Sequence, residues 1–177
     1  MYSDSGINAV PVNPFRIARV LGFILVPYSS LTPEGEAVCL KRSTSGFKFH
    51  LEDGKRIQYY IAFNDRKCSG HVRFTILHEI GHILLGHMQE SDLAEAEANF
   101  FAKYAIAPPS LVHLIKPDDY IEIADAFGLS SECALNSWNY YRKWLYVPGI
   151  KDYERQLNII FTLRSGGSEA PILRMSA

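Results

Sequence analysis

The segment His78-Glu79-Ile80-Gly81-His82 combines the residue types that a hydrolytic metal site needs. On an α-helix, two histidines four residues apart lie within about 40° of each other, so both imidazoles reach one ion from one face. A carboxylate placed directly after the first histidine can take the proton of an attacking water. Zinc hydrolases that carry HExxH use these three residues in this way. The flanks favour the helix: Ile76, Leu77, Ile80, Leu84 and Leu85 are apolar, and no proline interrupts the chain between Cys68 and Pro108. The competing explanation is a pair of histidines capping or packing in a buried helix, and the rest of the chain has to decide between the two.

A catalytic zinc takes three protein ligands and keeps one position open. A third histidine in the pattern HExxHxxGxxH would need Gly at 85 and His at 88, where the chain has Leu85 and Met88. His87 falls about 140° around a regular helix from His82. It is therefore expected to serve the last carbonyls at the helix C-terminus rather than an ion. A glutamate from the next helix is the other option, and Glu95-Ala-Glu-Ala-Asn99 offers two. Glu95 and Asn99 share a face at i and i+4, so Asn99 can orient Glu95. Ala98 and Ala102, on or near that face, would let the helix approach closely. Glu97 points about 200° away, toward solvent. Taken alone, both glutamates read as surface residues of a good helix-former. The HExxH segment a short turn upstream makes Glu95 the expected ligand.

These residues require a particular set of elements. Asn13-Pro14 starts a short helix that stops at Gly22, and Gly22 to Tyr28 reads as a strand. Pro33 to Glu36 looks like a turn or short connecting helix. Residues 46–51 and 56–63 alternate apolar and polar around Asp53-Gly54, which predicts a β-hairpin. The HExxH helix is expected over about residues 71–85, ending at Gly86, and a second helix from Ser91-Asp92 to Ile106, ended by Pro108-Pro109. Three more helices are expected near 109–115, 117–127 and 131–146, with Gly128 in the last turn. The layout of helix, small sheet and run of helices predicts an α+β fold with an antiparallel or mixed sheet. Residues 1–13 are expected to be a loose N-terminus, 14–110 the core, 111–148 a helical subdomain, and 149–177 a C-terminal extension. That extension would hold a helix or strand over Tyr153–Leu163 and be flexible around Gly166-Gly167.

A net charge of −1 on 177 residues argues against a dedicated nucleic-acid binder. The charge is unevenly spread. Lys41–Arg73 holds eight Lys/Arg against three Asp/Glu, whereas Phe74–Asn136 holds two against ten. This reads as two solvated faces in preference to a polarised docking surface. Three widely spaced cysteines without a CxxC pair fit a reducing compartment. The run Val20–Val26 is too short for a secretory core or a membrane span, so a cytoplasmic protein without membrane contact is expected.

Beyond the motif, the chain resembles the ImmA/IrrE family of small zinc metallopeptidases. Arg73-Phe-Thr-Ile-Leu-His-Glu-Ile-Gly-His82 is similar to that family's RFTLAHELGH core, and Leu84-Leu-Gly-His87 continues it. Glu95-Ala-Glu-Ala-Asn-Phe-Phe-Ala102 is similar to its ExEANxFA segment, Ile106-Ala-Pro108 to its Leu-Met-Pro, and Ala124-Asp-Ala-Phe-Gly-Leu-Ser130 to its LAxxFxVS. Asn64 also matches a common family position. Phe100 stands where the family often has Arg, and Ala107 replaces its Met. The resemblance implies a zincin-like core with a helix-turn-helix-like C-terminal segment, and a zinc ion on His78, His82 and Glu95 with Glu79 as general base. It further implies a cytoplasmic anti-repressor of the kind found in phages and mobile elements, which cleaves a helix-turn-helix repressor. The donor for the oxyanion stays open among Tyr104, His113, Arg73 and His71.

Two other readings stand beside the endopeptidase. One is a metal-binding regulator that acts by binding a partner without cutting it. The other is DNA binding through residues 118–146, whose helix, glycine turn and helix have the right shape. Asp118–Tyr141, however, contains five acidic residues and no Lys or Arg, and such a surface would be repelled by phosphate. Direct DNA binding is therefore disfavoured.

Overall fold

The structure is a computed structural model, and it describes residues 11–147 with the exception of Lys55. The expectations for residues 1–10, for Tyr153–Leu163 and for the Gly166-Gly167 hinge lie outside the described residues. The chain forms two compact units, one spanning Pro14–Ala102 and the other taking in the described residues from Lys103 onward together with residues 11–13.

The first unit is an α+β structure. Helix α1 (Pro14–Val20) buries Pro14, Ile17 and Ala18. Gly22, at φ +76°, ends the turn that follows, a conformation that glycine adopts without steric cost. Strand β1 (Ile24–Pro27) comes next, then a 3₁₀ turn (Tyr28–Ser30) and helix α2 (Pro33–Arg42). Strands β2 (Gly46–Asp53) and β3 (Arg56–Phe63) form the expected hairpin, with Asp53 opposite Arg56 and Gly54 at φ +61° in the connection. The sheet is mixed, in the order β1-β3-β2: β1 runs parallel to β3 and β2 antiparallel to it. Ile61, Ala62 and Phe63 of the central strand are buried. Helix α3 (Ser69–Leu84), which carries HExxH, packs on β2, β3 and α1. Its residues Ile76, Leu77 and Ile80 are fully buried. Helix α4 (Asp92–Ile106) begins with Ser91, whose hydroxyl accepts the Ala94 N–H at 3.1 Å.

Helix α2 is longer than the sequence suggested. None of its side chains is buried, and Val38 is 69% exposed, so it has no apolar stripe for a periodicity reading to find. It is held by its ends. Thr32 accepts the Gly35 N–H, Pro33 occupies the first turn, Glu34 and Glu36 sit at the positive end of the dipole, and Lys41 and Arg42 at the negative end.

The loop that delivers α3 is anchored on three sides. Asn64 is buried; its side-chain amide donates to the Thr44 carbonyl at 3.0 Å and its oxygen accepts the Arg66 N–H at 3.1 Å. Asp65 accepts both the N–H and the hydroxyl of Ser29, and Arg66 forms a two-pronged pair with Glu36. Where β2 begins, Gly46 lies so close to the neighbouring chain that an added Cβ would sit 2.6 Å from Thr75 Cγ2 and 2.8 Å from the Ala62 carbonyl oxygen. Thr75 belongs to α3, so this glycine sets how closely strand and helix approach. Gly81 plays a similar part on the other side of α3, where a Cβ would meet the Phe101 ring of α4 at 3.0–3.2 Å. Ala94, Ala98 and Ala102 of α4 are buried.

In the second unit, α5 (Pro109–Ile115), α6 (Tyr120–Phe127) and α7 (Ser131–Trp144) pack together, α7 lying against both α5 and α6. Asp119 caps α6, Gly128 at φ +60° ends it, and Ser130 caps α7. The helix-turn-helix-like shape is thus present. Ile123, Phe127 and Ala134 are fully buried, and His113 bonds to the Tyr141 hydroxyl at 2.9 Å.

Two outcomes are expected. Gly46→Ala pushes strand against helix and should cost about 1–3 kcal/mol of stability, read as a fall in the denaturation midpoint. Besides the Thr75 methyl group, the added Cβ meets the backbone carbonyl of Ala62 at 2.8 Å, which cannot rotate away. The second concerns Asp65, whose carboxyl is held below its ordinary pKa chiefly by the Ser29 hydroxyl. A depressed carboxylate adds stability above its unfolded-state pKa and loses it as pH falls through the folded one. Asp65→Asn should therefore be slightly less stable than the parent protein near neutrality. The gap should close in acid, as followed by urea denaturation at a series of pH values.

Candidate active site

Helix α3 turns the i, i+4 spacing of His78 and His82 into convergence: their Nε2 atoms lie 3.0 Å apart, with the rings edge to face. Glu95 reaches them from α4, with Oε2 3.3 Å from His78 Nε2 and Oε1 3.2 Å from His82 Nε2. Among the described residues, these three are the His, Cys, Asp or Glu side chains grouped closely enough to share an ion. A tetrahedral site with bonds of about 2.0–2.1 Å has ligand-to-ligand edges of about 3.3–3.4 Å. The observed separations fall at or just under that length, and two nitrogens and a carboxylate suit zinc among the common divalent ions. The residues present fit a metal.

Burial lowers the pKa of both histidines, so each is held neutral, the state in which a lone pair is available. For His78 the carboxylate of Glu95 and the side chain of Asn99 act the other way. Asn99, expected to steady Glu95, lines the same cleft as Glu95 and the two histidines. Among the described residues the buried Nδ1 atom of His78 has no hydrogen-bond partner.

Glu79 faces β2. It is buried, and desolvation raises its pKa to about 7. The nearby charge of Glu95 adds to the rise, whereas the main chain of Lys48 and the charges of Lys48 and Arg42 oppose it. Glu79, the histidine pair and Glu95 line one cleft of about 500 Å³, walled by the start of β2, the exposed side of α3 and the turn at Met88–Glu90. Of the four possible oxyanion donors, His71 lines this cleft, its Nε2 2.9 Å from the Ser45 hydroxyl. Tyr104 and His113 belong to the second unit, where they pack against Tyr140 and Tyr141.

A peptidase family model, described as the IrrE N-terminal-like domain, matches residues 40–139. That stretch is more than half of the chain and runs from the end of α2 into α7. The chain belongs to this family. Comparison with curated proteins and with solved structures gives no match. Membership of the IrrE-like family carries a metallopeptidase-type function and a protein substrate. Among the described residues no helix is long and apolar enough to cross a membrane.

Two residues of this IrrE-like site stand elsewhere than the sequence suggested. The helical angle that turned His87 away from His82 does not apply, because α3 ends at Leu84 and Gly86 adopts φ +72°. The chain folds back, the His87 N–H bonds to the His82 carbonyl at 3.0 Å, and the His87 ring lands with Nδ1 3.0 Å from His82 Nδ1. Glu97, expected to face solvent, is 49% exposed but meets His87 Nε2 at 2.9 Å. The helix stop at Gly86 was visible in the sequence. The direction the chain takes after it depends on Lys48, whose ammonium donates to the His87 carbonyl at 2.7 Å, and strand-to-loop contacts leave no local pattern.

Proposed function

We propose that this protein is a zinc-dependent endopeptidase that holds its metal on His78, His82 and Glu95 and uses Glu79 as general base. The observation that carries this reading is the convergence of two imidazoles and a carboxylate beside a buried glutamate in one cleft. A zinc ion at this place would polarise a scissile carbonyl and make a water acidic enough to attack at neutral pH. The residues of the chain do the rest. Glu79 accepts the proton of the attacking water and delivers it to the leaving amine. Its elevated basicity, a consequence of burial, suits both halves of that task.

For the substrate we propose a helix-turn-helix repressor and a cytoplasmic anti-repressor role, in a phage, mobile element or stress response. This finer assignment rests on the resemblance of the motifs at Arg73–His82 and Glu95–Ala102. The acidic face of Asp118–Tyr141 supports a protein partner over DNA.

Two outcomes test the reading. Zinc at about a hundred times its dissociation constant should stabilise the wild-type fold by about 2.7 kcal/mol, and His82→Ala or Glu95→Ala should remove that stabilisation. Glu79→Gln should retain zinc but cut a candidate repressor about 10²–10⁴-fold more slowly, as measured by gel or mass spectrometry. If Glu79→Gln still relieves repression in cells, the protein acts by binding its partner, and proteolysis is not the mechanism.

A further inference from the structure

We propose that His87 and Glu97 are positioning residues for the metal centre, forming a hydrogen-bonded chain that fixes the ring of His82 from behind. The inference rests on the reading of His78, His82 and Glu95 as ligands. It adds two residues that make no contact with the ion.

One assignment of protons satisfies every contact in the chain. The Nε2 atom of His82 faces His78 and Glu95, so as a ligand it must be free of hydrogen. The neutral ring then carries its proton on Nδ1. That N–H lies 3.0 Å from His87 Nδ1 and donates to it. His87, having accepted at Nδ1, carries its own proton on Nε2, 2.9 Å from a carboxylate oxygen of Glu97. A carboxylate only accepts, so the chain ends there with each donor matched to an acceptor. The opposite arrangement would put two protons between the rings or remove the lone pair from His82 Nε2.

The surroundings hold this geometry. Gly86 supplies the positive φ that brings His87 back over His82, and the Lys48 ammonium grips the His87 carbonyl. Helix α4 reaches His82 twice: Glu95 meets Nε2 directly, and Glu97, two residues later, meets Nδ1 through His87. The His87 side chain is 11% exposed and Glu97 about half exposed, so the chain runs from the buried site to solvent. Among the described residues His78 has no equivalent, its Nδ1 being without a hydrogen-bond partner there. The two imidazoles are thus unequal, and His82 is the one whose tautomer and orientation are set in advance. Outer partners of this kind typically change metal affinity by about 10- to 100-fold.

The test is zinc affinity by competition with a chromophoric chelator, together with the visible spectrum of the cobalt-loaded protein. Glu97→Gln and His87→Phe should each weaken zinc about 10-fold or more and shift the cobalt bands. The double variant should lose no more than His87→Phe alone, because Glu97 acts through His87. His87→Gln, whose amide can accept from His82 and donate to Glu97, should restore most of the affinity. Glu34→Gln, which removes an exposed carboxylate on α2 that does not line the cleft, should leave affinity and spectrum unchanged. Glu97 is a surface residue, so its variant reports even if His87→Phe disturbs the loop. Wild-type affinity and spectrum in both Glu97→Gln and His87→Phe would overturn the proposal, and so would an equal loss in Glu34→Gln. If His82→Ala binds zinc as the wild type does, the ligand reading itself fails and this inference falls with it. That outcome is distinct because it is read in a protein with His87 and Glu97 intact.

Discussion

The arrangement of the site follows from how closely strand β2 lies against helix α3, near enough for the main chain and charge of Lys48 to oppose the rise in the basicity of Glu79. A side chain at residue 46 would collide with Thr75 and with the carbonyl of Ala62, so glycine there is what allows the strand to lie so close. Through the same residue the strand reaches further, because the Lys48 ammonium secures the carbonyl of His87. One position of an outer strand therefore both tempers the carboxylate that would handle protons and braces the loop behind His82. On the opposite side of α3, Gly81 admits Phe101, and α4 comes near enough for Glu95 to meet both histidines. The two glycines act alike: each gives up a side chain so that a polar group from a neighbouring element can reach the same face of α3.

That closeness has an electrostatic cost. Two imidazoles and a carboxylate are desolvated together, which lowers the basicity of the histidines and raises that of Glu79. Such a site is poorly compensated from within the protein. The Nδ1 of His78 is left without a partner, and two Nε2 atoms that carry lone pairs when neutral face each other at 3.0 Å. A core assembled for stability alone would put apolar groups here. A divalent cation would satisfy the two facing Nε2 atoms and the Glu95 carboxylate at once. That is what favours the proposed metal site over a pair of histidines packed for structure, the alternative that the HExxH spacing by itself leaves open.

Much of this was legible in the sequence because it is local. The helix boundaries at Gly22, Gly86, Ser91 and Gly128, the Asp53-Gly54 hairpin and the shared face of His78 and His82 all follow from periodicity and turn chemistry over a few residues. The side of α4 that carries Glu95 could be read the same way, from its alanines. What stayed hidden is of two kinds. Helix α2 buries nothing, so its sequence has no stripe and its stability lies in caps and end charges. The pairing of His82, His87 and Glu97 depends on where the chain goes after a helix has ended, and a helical wheel gives the wrong angle there.

The uneven charge along the chain also takes on a different meaning in the fold. Lys41–Arg73 is basic and Phe74–Asn136 acidic, a pattern that as sequence reads as two separate solvated faces. Yet Arg42 and Lys48 from the first stretch line the same cleft as Glu79, Glu90 and Glu95 from the second. Arg66 takes no part in this, since it pairs with Glu36, whereas Arg42 sits 4.7 Å over the ring of Phe47 at the cleft wall. Lys48 and Arg42 temper the basicity of Glu79, as burial and Glu95 push it upward. The two halves of the sequence thus meet at the candidate active site, where opposite charges hold a buried carboxylate near the pKa that proton transfer at neutral pH requires.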